Sequence, residues 1–134
     1  MIVSITRLHL RSARYLLPFV VYALRSARQA KRSAGNVASD QLRDRRGGFW
    51  TRTVWADEAS LRAFMSAGAH RKAMPKLLDW CDEAAVVRWE QESPALPAWD
   101  EAHRRLVTAG RRSKVRHPSP AHDALDIPPP RRPG

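Results

Sequence analysis

A strand packed on both faces is predicted for the first ten residues, from Met1 to Leu10. Aliphatic side chains occupy both the odd and the even positions of this segment, whereas a strand with one face in water would alternate between apolar and polar residues. The apolar positions are Ile2, Val3, Ile5, Leu8 and Leu10. We therefore expect this strand to lie inside a sheet, with other elements packed against each face.

From about Arg11 to Ser33 the apolar positions recur every three or four residues, which predicts an amphipathic helix. The apolar positions are Ala13, Leu16, Val20, Ala23, Ala27 and Ala30. The arginines that cluster on the opposite side are Arg11, Arg14, Arg25, Arg28 and Arg32. Pro18 either lies in the first turn of a helix that begins late, near Leu17, or bends the helix. Gly35 and Asn36 are suited to end it.

Two antiparallel strands are predicted next, because Gly47-Gly48 makes a plausible turn between Asn36 to Arg43 and Phe49 to Ala56. The second strand has large side chains at both sets of alternating positions, so we expect it to be central in the sheet. Asp57 is a good N-cap for the helix that follows, and Gly68 interrupts that helix.

A fourth strand, from Ala84 to Glu92, completes the order strand, helix, strand, strand, helix, strand. This order is typical of the ferredoxin-like α+β fold, a four-stranded antiparallel sheet with both helices on one face. The other face would be bare and would carry large residues such as Trp50 or Trp55. A second copy of the chain is therefore predicted to bury it, and the expected state is a homodimer.

The composition changes after Glu92, and the sequence predicts three parts. These are a ferredoxin-like domain at residues 1–92, a helical extension at 93–110 and a disordered tail at 111–134. The extension contains one short helix, from Trp99 to Val107. The tail is basic and holds six of the ten prolines of the chain, and its few apolar side chains are too few to offset the entropy of ordering.

The overall charge of the chain narrows its chemistry only in part. Its 134 residues carry 24 Lys and Arg against 13 Asp and Glu, a net charge of +11, which favours binding of polyanions only where the charge is concentrated.

The single cysteine, Cys81, cannot form an internal disulfide. The apolar run Tyr15 to Leu24 is about half the length of a membrane span. We therefore expect a soluble, cytoplasmic protein without a membrane partner.

Several enzyme classes are disfavoured because their sequence signatures are missing. The chain has no Ser-His-Asp, paired-carboxylate, HExxH, P-loop or GxGxxG pattern. Hydrolase, kinase and dinucleotide-dependent chemistry are therefore not expected.

The stretch from Gly48 to Met74 resembles the dimeric α+β barrel superfamily. Within it, the chain is similar to spheroidene monooxygenase and, more distantly, to the antibiotic-biosynthesis monooxygenases. The residues that carry the resemblance are Thr53, Val54 and Trp55 on the strand, Asp57, Glu58, Leu61 and Phe64 at the helix, and then Gly68, His70 and Met74. In topology the resemblance covers roughly residues 1–92.

The resemblance implies a ligand pocket between the sheet and the helices, with His70 as its chemically active group. Some relatives ligate haem iron with a histidine in this region, so haem is a candidate cofactor, and no separate metal-ion site is predicted. Without haem, the imidazole could move a proton to or from a phenolic or polyene substrate. The predicted pocket residues are Trp50, Trp55, Phe64 and Met74.

Each of these residues also has a structural interpretation. The His70 ring could cap a neighbouring backbone group and hold the break at Gly68 in place. Tryptophans also fill barrels and interfaces, and Met74 is typical of a side chain that fills a gap in a core. The choice between the two interpretations depends on what lies beside the imidazole.

Three functions follow from these observations. The first is a monooxygenase-like oxidoreductase that acts on a hydrophobic or aromatic small molecule. The second is a non-catalytic dimeric α+β barrel that binds a small ligand or only oligomerises. The third is nucleic-acid binding through the arginine face of the first helix, which lacks a recognition-helix motif and interleaved aromatic residues.

Overall fold

The computed structural model describes residues 1–130, which form an antiparallel sheet with helices on both faces. The strands are β1 (Ile2–Leu10), β2 (Asn36–Arg43), β3 (Phe49–Trp55), β4 (Cys81–Glu90) and β5 (Arg111–Arg112). The helices are α1 (Leu16–Arg32), α2 (Glu58–Met65), α3 (Gly68–Trp80), α4 (Trp99–Ala109) and α5 (Pro120–Ala124), with one 3-10 turn at Ala13–Tyr15. The strand order is β2-β3-β1-β4-β5, so β1 is the middle strand.

The strand register divides the sheet side chains between two faces. Val3 is opposite Val54 of β3 and Trp89 of β4, and Arg7 is opposite Trp50. These side chains share the face that α4 covers, which we call the α4 face. The alternate residues of each strand, including Trp55, lie on the face covered by α1 and α2, which we call the α1 face.

The predicted order of the first four strands and their helices is confirmed. Pro18 is the third residue of α1, so it lies in the first turn, where its missing N–H breaks no helical bond. The Asp57 side chain accepts a hydrogen bond from the Ser60 N–H at 2.7 Å and caps α2 as expected. Gly68 has φ of +59° where the chain leaves α2 and enters α3. Pro75 lies inside α3.

The sheet has five strands, one more than predicted. β5 pairs with the edge of β4, and the chain continues along that edge, where the Ser113 N–H donates to the Ala84 carbonyl at 2.8 Å. Leu125 and Ile127 then pack against the core of the α4 face. The prediction of a disordered tail therefore does not hold for residues 111–130, while residues 131–134 lie outside the described part of the chain. Backbone hydrogen bonds to an open strand edge supply this order, and residue composition does not reveal them.

The face that was expected to be bare is covered by the chain itself. Ala102 and Leu106 of α4 are fully buried in one cluster with Trp50 and Val54, and Trp99 lies edge-on to Trp50 with ring centroids 6.3 Å apart. A second copy is thus not needed to bury the α4 face. The homodimer stays a prediction, and it would require a different surface.

Among residues 1–130, no helix combines the length and the apolar character needed to cross a bilayer.

Candidate functional site

Three aromatic rings follow one another on the α1 face and end at the candidate imidazole. Trp55 is fully buried at the end of β3, and its ring centroid lies 5.1 Å from that of Phe64 in α2. Phe64 in turn lies 4.7 Å from the ring of His70 in α3. The Trp55 Nε1–H is satisfied by the Thr53 hydroxyl at 2.9 Å. The structure thus brings together three of the predicted site residues.

A glutamine from α1 holds the chain break that positions His70. The Gln29 amide nitrogen donates to the carbonyls of Phe64 at 3.1 Å and Ala67 at 2.7 Å, and its oxygen accepts the His70 N–H at 3.0 Å. One side chain therefore satisfies backbone groups at the end of α2 and at the start of α3. A Cβ on Gly68 would lie only about 3.1 Å from this amide, so glycine suits the close approach as well as the positive φ.

The surroundings of His70 favour a neutral ring with a defined tautomer. Its Nδ1 lies 3.3 Å from the Met65 carbonyl, which can only accept, so Nδ1 carries the proton and Nε2 keeps its lone pair. Among the described residues, no hydrogen-bond partner contacts Nε2. Burial lowers the pKa of His70 below its ordinary 6.5, the Met65 bond opposes this, and the positive charge of Arg88 adds to it. The ring can therefore accept a proton at neutral pH.

Arg88 brings a positive charge from β4 to the same site. Its Nη2 lies 3.0 Å from the Met65 sulfur, and its backbone position is opposite Ser4 on the α1 face. Burial lowers the pKa of Arg88, the nearby Arg111 and Arg62 charges lower it further, and Glu58 opposes them. We call the group His70, Phe64, Trp55, Met65 and Arg88 the His70 cluster. It combines a proton acceptor, a cation and an aromatic wall.

Two of the predicted pocket residues lie elsewhere. Trp50 points to the α4 face, on the opposite side of the sheet from Trp55, as expected from the alternation of β3. Met74 is exposed on α3. Neither residue joins the His70 cluster. Cys81 is buried, and burial raises the pKa of its thiol to about 12, so it is no nucleophile at neutral pH.

Met65, Arg88 and Gln29 were not predicted as site residues. Arg88 had a signal in the sequence, because it interrupts an otherwise apolar stretch of β4 on the face that helices cover. Gln29 lies among basic and small residues of α1, next to the buried Ala30. Its hydrogen-bond partners are about 40 residues away in the chain, so the sequence pattern alone does not identify them.

The packing around His70 does not fit haem. An iron ligand needs space for a porphyrin plane against its ring nitrogen. His70 Nε2 would be the nitrogen that binds iron, but the surface groove in this region is lined by Arg25, Arg28, Gln29, Arg32 and Ser33 and not by His70. We therefore derive no chemistry through haem.

A second polar cluster lies on the opposite, α4 face. Arg7 is only 2% exposed, and it donates to Asp44 Oδ2 at 2.7 Å and to Glu83 Oε1 at 2.8 Å. Nearby, His9 Nδ1 lies 2.6 Å from Asp82 Oδ1. Ligand-type atoms of His9, Asp82 and Glu83 lie within 4.8 Å of one another. Ion pairs inside this Arg7 network account for the arrangement, so we assign it a structural role.

The fold matches that of solved structures named as antibiotic-biosynthesis monooxygenases, in agreement with the resemblance seen in the sequence. A putative antibiotic biosynthesis monooxygenase from Nitrosomonas europaea matches with a TM-score of 0.61 and 17% identity, over 69% of this chain and 100% of the other. SnoaB, a cofactor-independent oxygenase from Streptomyces nogalater, matches with a TM-score of 0.56 and 17% identity, over 69% and 93%. A conserved protein from Methanosarcina mazei Go1 matches with a TM-score of 0.60 and 13% identity, over 68% of this chain and 92% of the other. At such identities the likeness shows the fold alone.

A comparison with curated proteins finds no match. One family model, described as a domain of unknown function (DUF3291), matches residues 21–114. This range includes the His70 cluster and extends through α4 and β5, so it contains the helix that covers the α4 face. The chain therefore belongs to the DUF3291 family.

Proposed function

We propose that this protein is a monooxygenase-like oxidoreductase that acts on a hydrophobic, aromatic small molecule, with His70 as the proton acceptor. The observation that carries the proposal is the neutral His70 ring at the end of an aromatic row: its Nδ1–H is bound to the Met65 carbonyl, and its Nε2 has no hydrogen-bond partner among the described residues. Two proteins of the same fold support it by name, one as a putative monooxygenase and one as a cofactor-independent oxygenase.

The chemistry needs no external reductant if the substrate has an activated methylene group. His70 Nε2 removes a proton from that carbon, and the resulting carbanion is electron-rich enough to react with O₂. Overall, a CH₂ group and O₂ give a carbonyl group and water, so the electrons balance without a cofactor. The protein has to bind the substrate, accept the proton and stabilise the anion.

The His70 cluster provides one residue for each of these tasks. Phe64 is partly exposed and offers an apolar ring beside His70, while the buried Trp55 packs behind it and holds it in place. Arg88 supplies a positive charge that would stabilise the anion formed on proton removal. Since burial keeps the pKa of His70 below its ordinary value, the ring is in its basic form when substrate arrives.

An anthrone is a suitable probe, because it is an aromatic ketone with an activated methylene group. We expect O₂ uptake with formation of the quinone, and we expect His70→Gln to lower the rate about 100-fold or more. His117→Gln removes an exposed histidine and is the matched control. The rate should fall as the pH drops through the lowered pKa of His70. Full activity of His70→Gln would refute the assignment.

The non-catalytic alternative has its own supporting observation. The His70 hydrogen bond to the Met65 carbonyl is also what a purely structural histidine would make at the break between α2 and α3. In that case anthrone would quench the tryptophan fluorescence without O₂ uptake. Binding without turnover would therefore favour a small-ligand-binding protein.

A further inference from the structure

The outward face of α1 has an apolar half and a basic half. In the first half, Leu17 is 75% exposed, Val21 38% and Leu24 64%. These positions are separated by four and three residues, so they form one stripe along the helix. An exposed stripe of large aliphatic side chains on a soluble surface points to a partner.

The second half of the same face is strongly basic. Arg25, Arg28 and Arg32 line a surface groove of about 400 Å³ together with Gln29 and Ser33. In the described part of the chain, none of these three arginines makes an ion pair with a carboxylate. Helix α1 has no acidic residue, and α1 with the adjacent α3 carries seven Lys and Arg against one Asp. The surface therefore has a concentrated positive charge rather than a dispersed one.

We propose that the outward face of α1 docks on a membrane surface that contains anionic lipids. Its 17 residues lie along about 25 Å of the surface. The aliphatic stripe enters the boundary between headgroups and acyl chains, and the arginines contact the lipid phosphates. A nucleic acid would explain the arginines but leave Leu17 and Leu24 in water. This mode is attachment to one leaflet without a membrane span, so it departs from the expectation of no membrane partner, which is based on the length of the apolar run.

Vesicle flotation with the full chain tests the proposal. We expect binding to phosphatidylcholine vesicles that contain phosphatidylglycerol, weaker binding to phosphatidylcholine alone, and a steep loss with added salt. Replacing Arg25, Arg28 and Arg32 by Gln should weaken binding about fivefold for each charge removed. Replacing Leu17 and Leu24 by Gln should weaken it about tenfold for each side chain.

Matched controls lie on α4, on the other side of the sheet. Arg104→Gln removes an exposed arginine, and Val107→Gln removes an aliphatic side chain that is 41% exposed. Both should leave vesicle binding unchanged. All the substituted α1 side chains are exposed, so circular dichroism and the melting temperature of each variant should match those of the parent protein.

Three outcomes would overturn the proposal. The first is the absence of binding to anionic vesicles. The second is binding that the arginine variants weaken, that the leucine variants leave unchanged and that duplex DNA competes away, which would identify a nucleic-acid surface. The third is a dimer by light scattering that the Leu17 and Leu24 substitutions dissociate, which would identify a second copy as the occupant.

Discussion

Replacing Asp44 by Asn is expected to destabilise the fold strongly, because its carboxylate has four hydrogen-bond donors. Oδ2 accepts from Arg7 Nε at 2.7 Å and from Trp50 Nε1 at 2.8 Å. Oδ1 accepts from the backbone N–H groups of Arg46 and Gly48, each at 2.9 Å. An amide would direct its NH₂ group at two of these donors and remove one charge beside a buried guanidinium. Breaking a buried pair in this way costs about 3–5 kcal/mol.

Urea unfolding followed by tryptophan fluorescence measures this loss. The control is Glu101→Gln, which breaks a half-exposed carboxylate–arginine pair with Arg105 and should cost less than about 1 kcal/mol. Burial raises the pKa of Asp44, but the Arg7 and Trp50 hydrogen bonds and the Arg7 charge outweigh it, so the pKa lies below the ordinary 3.8. The contribution is therefore present above pH 3.8 and lost as the pH falls through the lowered pKa, and the Asn variant should lack this acid loss. An Asn variant as stable as the Gln control would refute the reasoning.

His70→Gln should reduce the pH dependence of stability, because the native ring binds its proton less tightly than the ring in the unfolded chain. The contribution of His70 to stability is therefore present above pH 6.5 and is lost as the pH falls below that value. Urea unfolding at several pH values measures this dependence. Deleting residues 111–134 should lower stability by about 3–5 kcal/mol, because Leu125 and Ile127 leave the core. The deletion should also expose the α4 face to a fluorescent apolar dye. A deletion variant that unfolds like the full chain and binds no dye would contradict this. Gly35→Ala should cost about 2 kcal/mol or more, because φ is +83° and a Cβ would collide with the Ser60 side chain. Gly47→Ala has the same φ but meets only the flexible Arg43 side chain, so it should cost less. Equal losses of stability in urea unfolding would count against the collision. Protein incubated with haem should show no Soret band, because the groove in this region is not lined by His70, and a band that His70→Gln removes would refute this.

The first four strands were predictable from the sequence because local signals agree with the fold. The apolar residues at both alternating sets of β1 and β3 predicted the central strands, and Gly35 and Gly47 stand where the chain has a positive φ. The coverage of the α4 face was not predictable in the same way. It depends on where α4 and residues 111–130 dock, and β5 docks through backbone groups that every residue type shares.

The site was predictable only where its residues are near in sequence. Phe64 and His70 are separated by one break between two helices, so a pattern could suggest that they are neighbours. Arg88 reaches the same place from another strand, and its position depends on the register of β4 against β1. Trp50 shows the reverse case, since the alternation of β3 already placed it on the other face from Trp55, while the resemblance placed both in one pocket.

The coverage of the α4 face also has a consequence for how the protein is made. The middle strand, β1, is synthesised before the helix and the segment that shield one of its faces, which follow it by about 90 to 120 residues. Until then, a nascent chain carries Val3, Trp50 and Val54 without their cover. Stalled or shortened translation products should therefore depend on chaperones far more than the finished polypeptide does.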